Sequence, residues 1–256
     1  MQIAYASRLY IRNVENFRRF WYESVLPQVF EPILYLGAMG WGVGQIVDDG
    51  SLNGQSYVEF IVPGVAAAAA MGGAVFESTY FAFYKLRGSR IYESILATPL
   101  ETRDIGAAEL AWATTRGFIQ GLFVILVAAL TGVVDTWRAV LWLPVIALVA
   151  LLFSGLGFAC VAQIRRGETL TLIQRFVVTP LFLFSGVFFP IAKVSDAGAV
   201  IANISPVYHA VEVERATARG DFDAAAALHL GVLTAFACAC CYIGLRRFSN
   251  ALIDGD

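Results

Sequence analysis

AVLWLPVIALVALLFSGLGFACVAQI, residues 139–164, contains no Asp, Glu, Lys or Arg. A hydrocarbon core of about 30 Å is crossed by about 20 residues of helix, so this stretch is long enough to span a bilayer. A second uncharged run extends from Ala224 to Leu245. Hydropathy and turn residues place further spans at Pro27 to Val47, Val58 to Tyr84, Gly106 to Val134 and Phe176 to Ala192. The reading is an all-α integral membrane fold with six transmembrane helices. It forms a single domain over residues 1–256, with spans 1–3 in 27–134 and spans 4–6 in 139–245. Composition agrees: 58% of the 256 residues are hydrophobic, 15% are charged and the mean hydropathy is +0.67. Six spans leave no room for a separate soluble enzyme domain.

The net charge of −2 conceals an uneven distribution. With the N-terminus inside, the inner segments hold thirteen basic residues, among them Arg8, Arg12, Lys85, Arg87, Arg165 and Arg247. The outer segments hold Arg138, Lys193, Arg215 and Arg219, and the first outer loop carries Asp48 and Asp49. The positive-inside bias therefore selects a cytoplasmic N-terminus and a cytoplasmic C-terminus in a multi-pass plasma (bacterial inner) membrane protein. No cleavable leader is expected, because the first strongly apolar run begins only near Pro27, after four arginines.

Three segments outside the spans carry information. In residues 1–25, Ile3, Tyr10, Val14, Phe17 and Trp21 share one helical arc, with Arg8, Arg12, Glu15 and Arg19 opposite. The expectation is an amphipathic interfacial helix, its apolar face in the headgroup boundary and its arginines toward anionic lipid; the alternative is a soluble helix packed on a partner. Between Lys85 and Asp104, Ser89 to Ala97 reads as a short helix. Thr98, Pro99 and Glu101 then read as a capping box that starts the next helix at Pro99. A force applied to such a helix-break-helix moves the second and third spans together, whereas a solvated connecting loop transmits nothing. Residues 190–223, with Pro190 and Pro206, fit two short outer re-entrant helices, since irregular backbone at membrane depth needs protein or a cavity around it.

Charges inside spans are costly and need a partner or a role. Glu31 and Glu59 lie near span ends and read as capping or snorkelling groups. Glu77 is seven residues before Tyr84, about 10 Å into the second span, and Arg116 is similarly deep in the antiparallel third. The two are expected to pair. Glu109 lies on the same face as Arg116, with Trp112 between them. The pair either fixes helix register or touches substrate, and Tyr80, Glu109, Trp112 and Phe188 are candidate pathway residues. Gly40 and Gly44, like Gly117 and Gly121, have the spacing that permits close helix approach. Cys160, Cys238, Cys240 and Cys241 sit in apolar runs and read as packing residues. His209 and His229 read as isolated structural residues. There is no GxxxxGK[ST], HExxH or paired CxxC, so neither nucleotide nor metal chemistry of the usual kinds is encoded, and no cofactor is expected on this chain.

The blocks FIVPGVAAAAAM (60–71), FESTYFAFYKLRGSRIYESILATPLETRDIGAAELAWATTRG (76–117), SGVFFPI (185–191) and ISPVYHAVEVER (204–215) carry a resemblance over nearly the whole chain. They look like the membrane subunit of an ABC-2-type exporter, in the branch with nodulation-factor (lipo-oligosaccharide) and daunorubicin-resistance permeases. The long second block is the specific one. The resemblance implies a non-enzymatic permease with a coupling helix at 87–100 and outer helices at 190–223. It implies that ATP and Mg bind a separate cytoplasmic ABC ATPase. Its other implied partners are a second copy of the permease or a related permease, and membrane lipid, but no nucleic acid. Carried over residue by residue, Arg87, Arg90, Tyr92, Glu93, Leu96, Thr98, Pro99 and Leu100 would contact the ATPase. The substrate would be an amphipath: a lipo-oligosaccharide, a lipid-linked glycan or a hydrophobic drug. The competing class is a nucleotide-independent channel or structural membrane protein.

Overall fold

A computed structural model describes residues 3–46, 55–89, 91–191 and 196–254, and among these residues there are helices and no strands. In chain order the helices are α1 (Ile3–Arg19), α2 (Trp21–Ala38, prolonged by a wide turn, Met39–Val43), α3 (Tyr57–Phe76), α4 (Ile91–Leu96), α5 (Thr102–Leu130), α6 (Thr136–Val140), α7 (Leu143–Val161), α8 (Glu168–Ile173), α9 (Thr179–Phe184), α10 (Asp196–Ile204), α11 (Pro206–Arg219) and α12 (Ala224–Asp254). Beyond Phe76 the chain of α3 continues through two wide π-turns, Glu77–Phe81 and Tyr84–Gly88.

Among the described residues four helical stretches are long and apolar enough to cross a membrane: Tyr57–Gly88, Thr102–Leu130, Thr136–Val161 and Ala224–Ile253. Their burial differs in a way that fixes the architecture. Of the most apolar window in each, 78% is inside the protein for Tyr57–Gly88 and 17% for Ala224–Ile253. The first is therefore the axis of the bundle, and most of the last faces outward. The axis is built for this. Its start is fixed by a reciprocal capping box, Ser56 with Glu59, and its middle, Val65 to Met71, is mostly alanine and wholly buried. Small side chains let α5 and α7 close on it. A Cβ on Gly117 of α5 would lie 2.6 Å from the Ala70 carbonyl oxygen and 2.8 Å from the Ala74 Cβ. On the other side of α7, a Cβ on Gly155 would lie 2.5 Å from backbone atoms of Cys240 in α12.

The two remaining expected spans are helical in part. Pro27 to Val47 falls on α2, which begins earlier, at Trp21, and whose Glu31 side chain is outside the described residues. Phe176 to Ala192 falls on a helical run, Glu168 to Phe184, that stops in a bend at Ser185 to Phe189, where Gly186 takes φ +76°. Seventeen residues of helix rise about 25 Å. The N-terminal segment, expected as one helix, is divided at Phe20 (φ −125°). Helix α1 also docks on α5: Leu9 and Asn13 are buried, and the Tyr10 hydroxyl lies 3.0 Å from Thr115 Oγ1. Part of the face expected in lipid thus covers protein, while Arg8, Arg18 and Arg19 are exposed.

The expected helix start at Pro99 is corrected. Residues 97–99 are a turn, and α5 begins at Thr102 with Glu101 as N-cap in a capping box with Asp104. The Thr98 hydroxyl donates instead to the Ile95 carbonyl at 2.6 Å. A hydroxyl just after one helix and just before the next can serve either, and here it closes the first.

Candidate functional site

Four charges meet at the end of the bundle where α3 runs into α4. Arg116 Nε stands 3.5 Å from Glu77 Oε2, with side-chain exposures of 4% and 10%. Trp112 Nε1 donates to Glu77 Oε1 at 2.8 Å, and Lys85 Nζ donates to Glu109 Oε2 at 2.7 Å. Two carboxylates and two cations thus compensate one another in a largely enclosed site, with Lys85 at its edge, its side chain 16% exposed. The π-turn at Glu77–Phe81 supplies the register. It adds a residue to one turn, and Ser78 and Thr79 stabilise it by donating to the Ala74 and Val75 carbonyls, each at 2.6 Å. Helix α1 roofs the cluster. The Arg116 guanidinium lies 4.5 Å from the Phe17 ring centroid, and the rings of Tyr10 and Phe17 meet Trp112 edge-on at 6.0 and 5.7 Å.

Helix α4 lies beside this cluster with one face in and one face out. Tyr92 and Ile95 are buried, Tyr92 at 2% exposure, and the Tyr92 ring packs on Phe248 of α12 at 5.7 Å. Burial first, then the Glu109 and Glu77 carboxylates, push the Tyr92 phenol well above its ordinary pKa, against the opposing pull of Arg12. Glu93, Ser94, Ala97, Thr98 and Pro99 are exposed together, and Arg87, Leu96 and Leu100 are half-buried.

At the opposite end α11 is buried on almost every side: Val207, Ala210, Val211 and Glu214 have 0% exposure. Arg215 fastens it. Its guanidinium donates to the carbonyls of Phe60 at 3.2 Å and Gly186 at 2.8 Å, sits 3.8 Å from the Phe60 ring centroid, and reaches Glu212 at 3.3 Å. Phe60 lies three residues before Pro63, which sits inside α3 and whose missing N–H deprives the neighbouring Glu59 carbonyl of its helical donor. Trp142 Nε1 donates to the Glu214 carbonyl oxygen at 2.9 Å, Arg138 donates to the Ala218 carbonyl oxygen at 2.6 Å, and Gly220 ends the helix with φ +83°. His209 Nδ1 is 2.7 Å from His229 Nδ1, and its Nε2 is 3.0 Å from the Asn203 carbonyl. That carbonyl requires a proton on His209 Nε2, so in the neutral pair His209 Nδ1 accepts from His229 Nδ1. Burial lowers the His209 pKa, the Asn203 carbonyl opposes this, and His229 adds to it.

A family model for ABC-2 type transporters matches residues 6–218, a range that takes in both ends of this bundle. The chain belongs to the ABC-2 type transporter family. This permease is 35% identical over 223 residues to Nodulation protein J of Rhizobium leguminosarum bv. viciae, covering 87% of this chain and 85% of that protein. It is 34% identical over 244 residues to Nodulation protein J of Rhizobium meliloti (strain 1021), covering 94% and 90%. It is 26% identical over 231 residues to the Inner membrane transport permease YadH of Escherichia coli (strain K12), covering 89% and 88%. It is a multi-pass membrane subunit of an ABC exporter, a transport protein and not a catalyst.

The permease brings Glu77 and Arg116 together, with Glu109 and Trp112 in the same cluster. It does not gather the other expected pathway residues there. Tyr80 packs on Phe76 at 5.1 Å, and Phe188 belongs to the far end, against Tyr35 and Phe182, its carbonyl accepting from the Tyr57 hydroxyl at 3.3 Å. Of the residues expected on the ATPase, Glu93, Thr98 and Pro99 are exposed, Tyr92 faces inward, and Arg90 lies outside the described residues. The histidines expected to be isolated are paired, because the turn after α11 folds α12 back along it. Arg215, counted as an outer-loop charge, is buried at 5% exposure. The sequence marks the start of its helix with Pro206 but gives no sign that the charges at 212–219 are enclosed.

Proposed function

We propose that this permease is the membrane half of an ATP-driven exporter of an amphipathic lipo-oligosaccharide, worked by a separate cytoplasmic ABC ATPase pressing on α4. The observation that carries the reading is the two-faced α4: Glu93, Ser94, Ala97, Thr98 and Pro99 outward, Tyr92 and Ile95 inward beside the four-charge cluster. A motor needs an exposed face to push and a buried face that moves what lies behind it. Tyr92 is then a positioning residue that passes displacement to Glu109, Glu77 and α12. The outward face is the contact with the motor.

The rest of the layout follows from charge and length. Both termini are cytoplasmic, α2 and the Glu168–Phe184 run add two membrane-inserted segments to the four long ones, and α10 and α11 form the release-side helices. Two permeases face each other, and ATP and Mg reside on the motor. The resemblance to nodulation-factor permeases, with relatives named Nodulation protein J, favours a lipo-oligosaccharide over a drug as cargo. The whole chain acts as one domain.

Copurification tests this reading. The permease is expected to hold a cytosolic ATPase whose turnover drops at least severalfold on Glu93→Lys or Leu96→Asp. Full coupling in both variants moves the contact surface elsewhere, and absence of any bound ATPase favours a nucleotide-independent channel. A cysteine at Asn53 is expected to react with an impermeant label from outside and one at Ser89 is not; the reverse pattern overturns the topology.

A further inference from the structure

The charges of the α3–α5 cluster meet partner groups directly, but the Glu214 carboxyl meets no donor, and the Arg215 charge nearby only partly offsets its burial. Glu214 has 0% exposure, and neither carboxylate oxygen has a hydrogen-bond partner among the described residues. The adjacent guanidinium of Arg215 is committed to the Phe60 and Gly186 carbonyls and to Glu212. The other charged groups on elements packed against α11 are engaged or distant. Arg138 is on the Ala218 carbonyl and on Asp135, His229 is on His209, and Glu59 is in its cap with Ser56. Helix α7 carries no charge, and α10 has its one acid, Asp196, at its far end. Trp142 and Thr217 bond the Glu214 backbone oxygen or one another and leave its carboxyl alone.

An ionised carboxylate without donors in such a place is far more costly than the neutral acid. A fully enclosed group with no accessible surface admits one ligand that needs no cavity, a proton. We propose that Glu214 is a proton-binding site, occupied while α11 is seated in the bundle and emptied when α11 is displaced during release. The second half rests on the exporter reading above; the first does not.

The sign follows from linkage. Seated, burial holds the carboxyl's proton well above the ordinary carboxylate range against the opposing pull of Arg215; displaced into water, it titrates near its ordinary value. Between those two values each displacement releases one proton, so the displaced state is favoured about tenfold per unit of rising pH and disfavoured equally in acid. Above the raised value the dependence vanishes. Release is therefore slowed by acid on the side that α11 faces, and the isosteric neutral variant Glu214→Gln abolishes that slope.

Two measurements test this. Infrared difference spectroscopy of the full chain in lipid vesicles at neutral pH, wild type minus Glu214→Gln, is expected to show the carbonyl band of a protonated carboxylic acid. Absence of that band overturns the site, and this readout needs no motor. In vesicles carrying permease and copurified ATPase, with the motor-side pH fixed, acidifying the lumen is expected to lower ATPase turnover by up to about tenfold per pH unit. Glu214→Gln should give a flat profile, and the slope should persist in His209→Gln, which removes the other titratable pair nearby. An unchanged slope in Glu214→Gln overturns the coupling. A protonated band in a permease that binds no ATPase leaves the proton site standing and removes the exporter reading instead.

Discussion

The Glu77 and Arg116 pair gives the most quantitative test of how the bundle holds together. At a separation of 3.5 Å and an effective dielectric near 20, the direct attraction is about 5 kcal/mol. Desolvation offsets much of this, because the two side chains are only 10% and 4% exposed. The losses on single substitution should differ, because the partners left behind differ. Arg116→Met leaves a buried carboxylate with Trp112 as its neutral donor, and the expected cost is about 3–5 kcal/mol. Glu77→Gln keeps an acceptor for Trp112 and leaves Arg116 over the Phe17 ring, whose face offsets part of the loss, so about 2–3 kcal/mol is expected. The double variant removes both charges and should lie no lower than Arg116→Met, a coupling of at least about 2 kcal/mol. Unfolding in mixed micelles, followed by helix signal and by Trp fluorescence, measures all four corners of the cycle. Losses that add to within about 0.5 kcal/mol would show that the charges do not sense each other and would refute the cluster as an electrostatic unit.

Other consequences can be checked separately. Gly117→Ala is expected to lower the melting temperature by the equivalent of about 1–3 kcal/mol, because the new methyl would meet the Ala70 carbonyl at 2.6 Å, whereas Gly72→Ala, with open space around its Cβ, should be neutral or slightly stabilising. Arg215→Gln should cost about 2–4 kcal/mol and loosen protease protection between residues 185 and 215, with Arg215→Lys intermediate, since an ammonium cannot reproduce the planar fork that serves two carbonyls. Because burial depresses the His209 pKa below its unfolded value, its contribution to stability is present above about pH 6.5 and is lost as pH falls through the lower folded-state value. Melting curves across that range should show an acid-side decline that His209→Gln reduces.

Much of the architecture is readable from residue order because the bilayer sets a length. Four expected spans begin or end within a few residues of the helices Tyr57–Gly88, Thr102–Leu130, Thr136–Val161 and Ala224–Ile253, each anchored on a run that charge avoids. The approach of Glu77 and Arg116 was equally legible, since both are measured from the same connecting loop. The start of α5 was not, because Thr98 is within reach of the Ile95 carbonyl behind it as well as of the helix ahead, and local propensity does not decide between them. Helix α11 was harder still. Its Glu212, Glu214, Arg215 and Arg219 look like a solvated face, and only the tertiary enclosure by α3, α7 and α12 makes 214 and 215 interior. The histidine pair, twenty residues apart, depends on the reversal after Gly220, which a sequence pattern marks as a turn without giving its direction.

The separated motif blocks acquire a physical reason once Arg215 is placed. FIVPG sets a proline inside α3, SGVFF leaves a helix through a residue at φ +76°, and VER carries Arg215 within α11. The first loses a backbone donor at Pro63 and the second leaves its carbonyls outside a helix, and a buried guanidinium with five donors reaches a carbonyl in each block at once. The site is close-packed: a Cβ on Gly64 would lie 2.8 Å from the Val187 backbone, so the bend rests directly on the proline turn. An irregular backbone in a membrane protein persists only where protein satisfies it. Arg215 therefore ties two irregular segments together with one charge, and while α11 is seated that charge is closed off from water. That mutual dependence makes the seated arrangement a discrete state: α11 cannot shift slightly without stranding the guanidinium or the carbonyls. A helix held in this way moves as a unit or not at all, which is what a release step driven from the far end of the bundle requires.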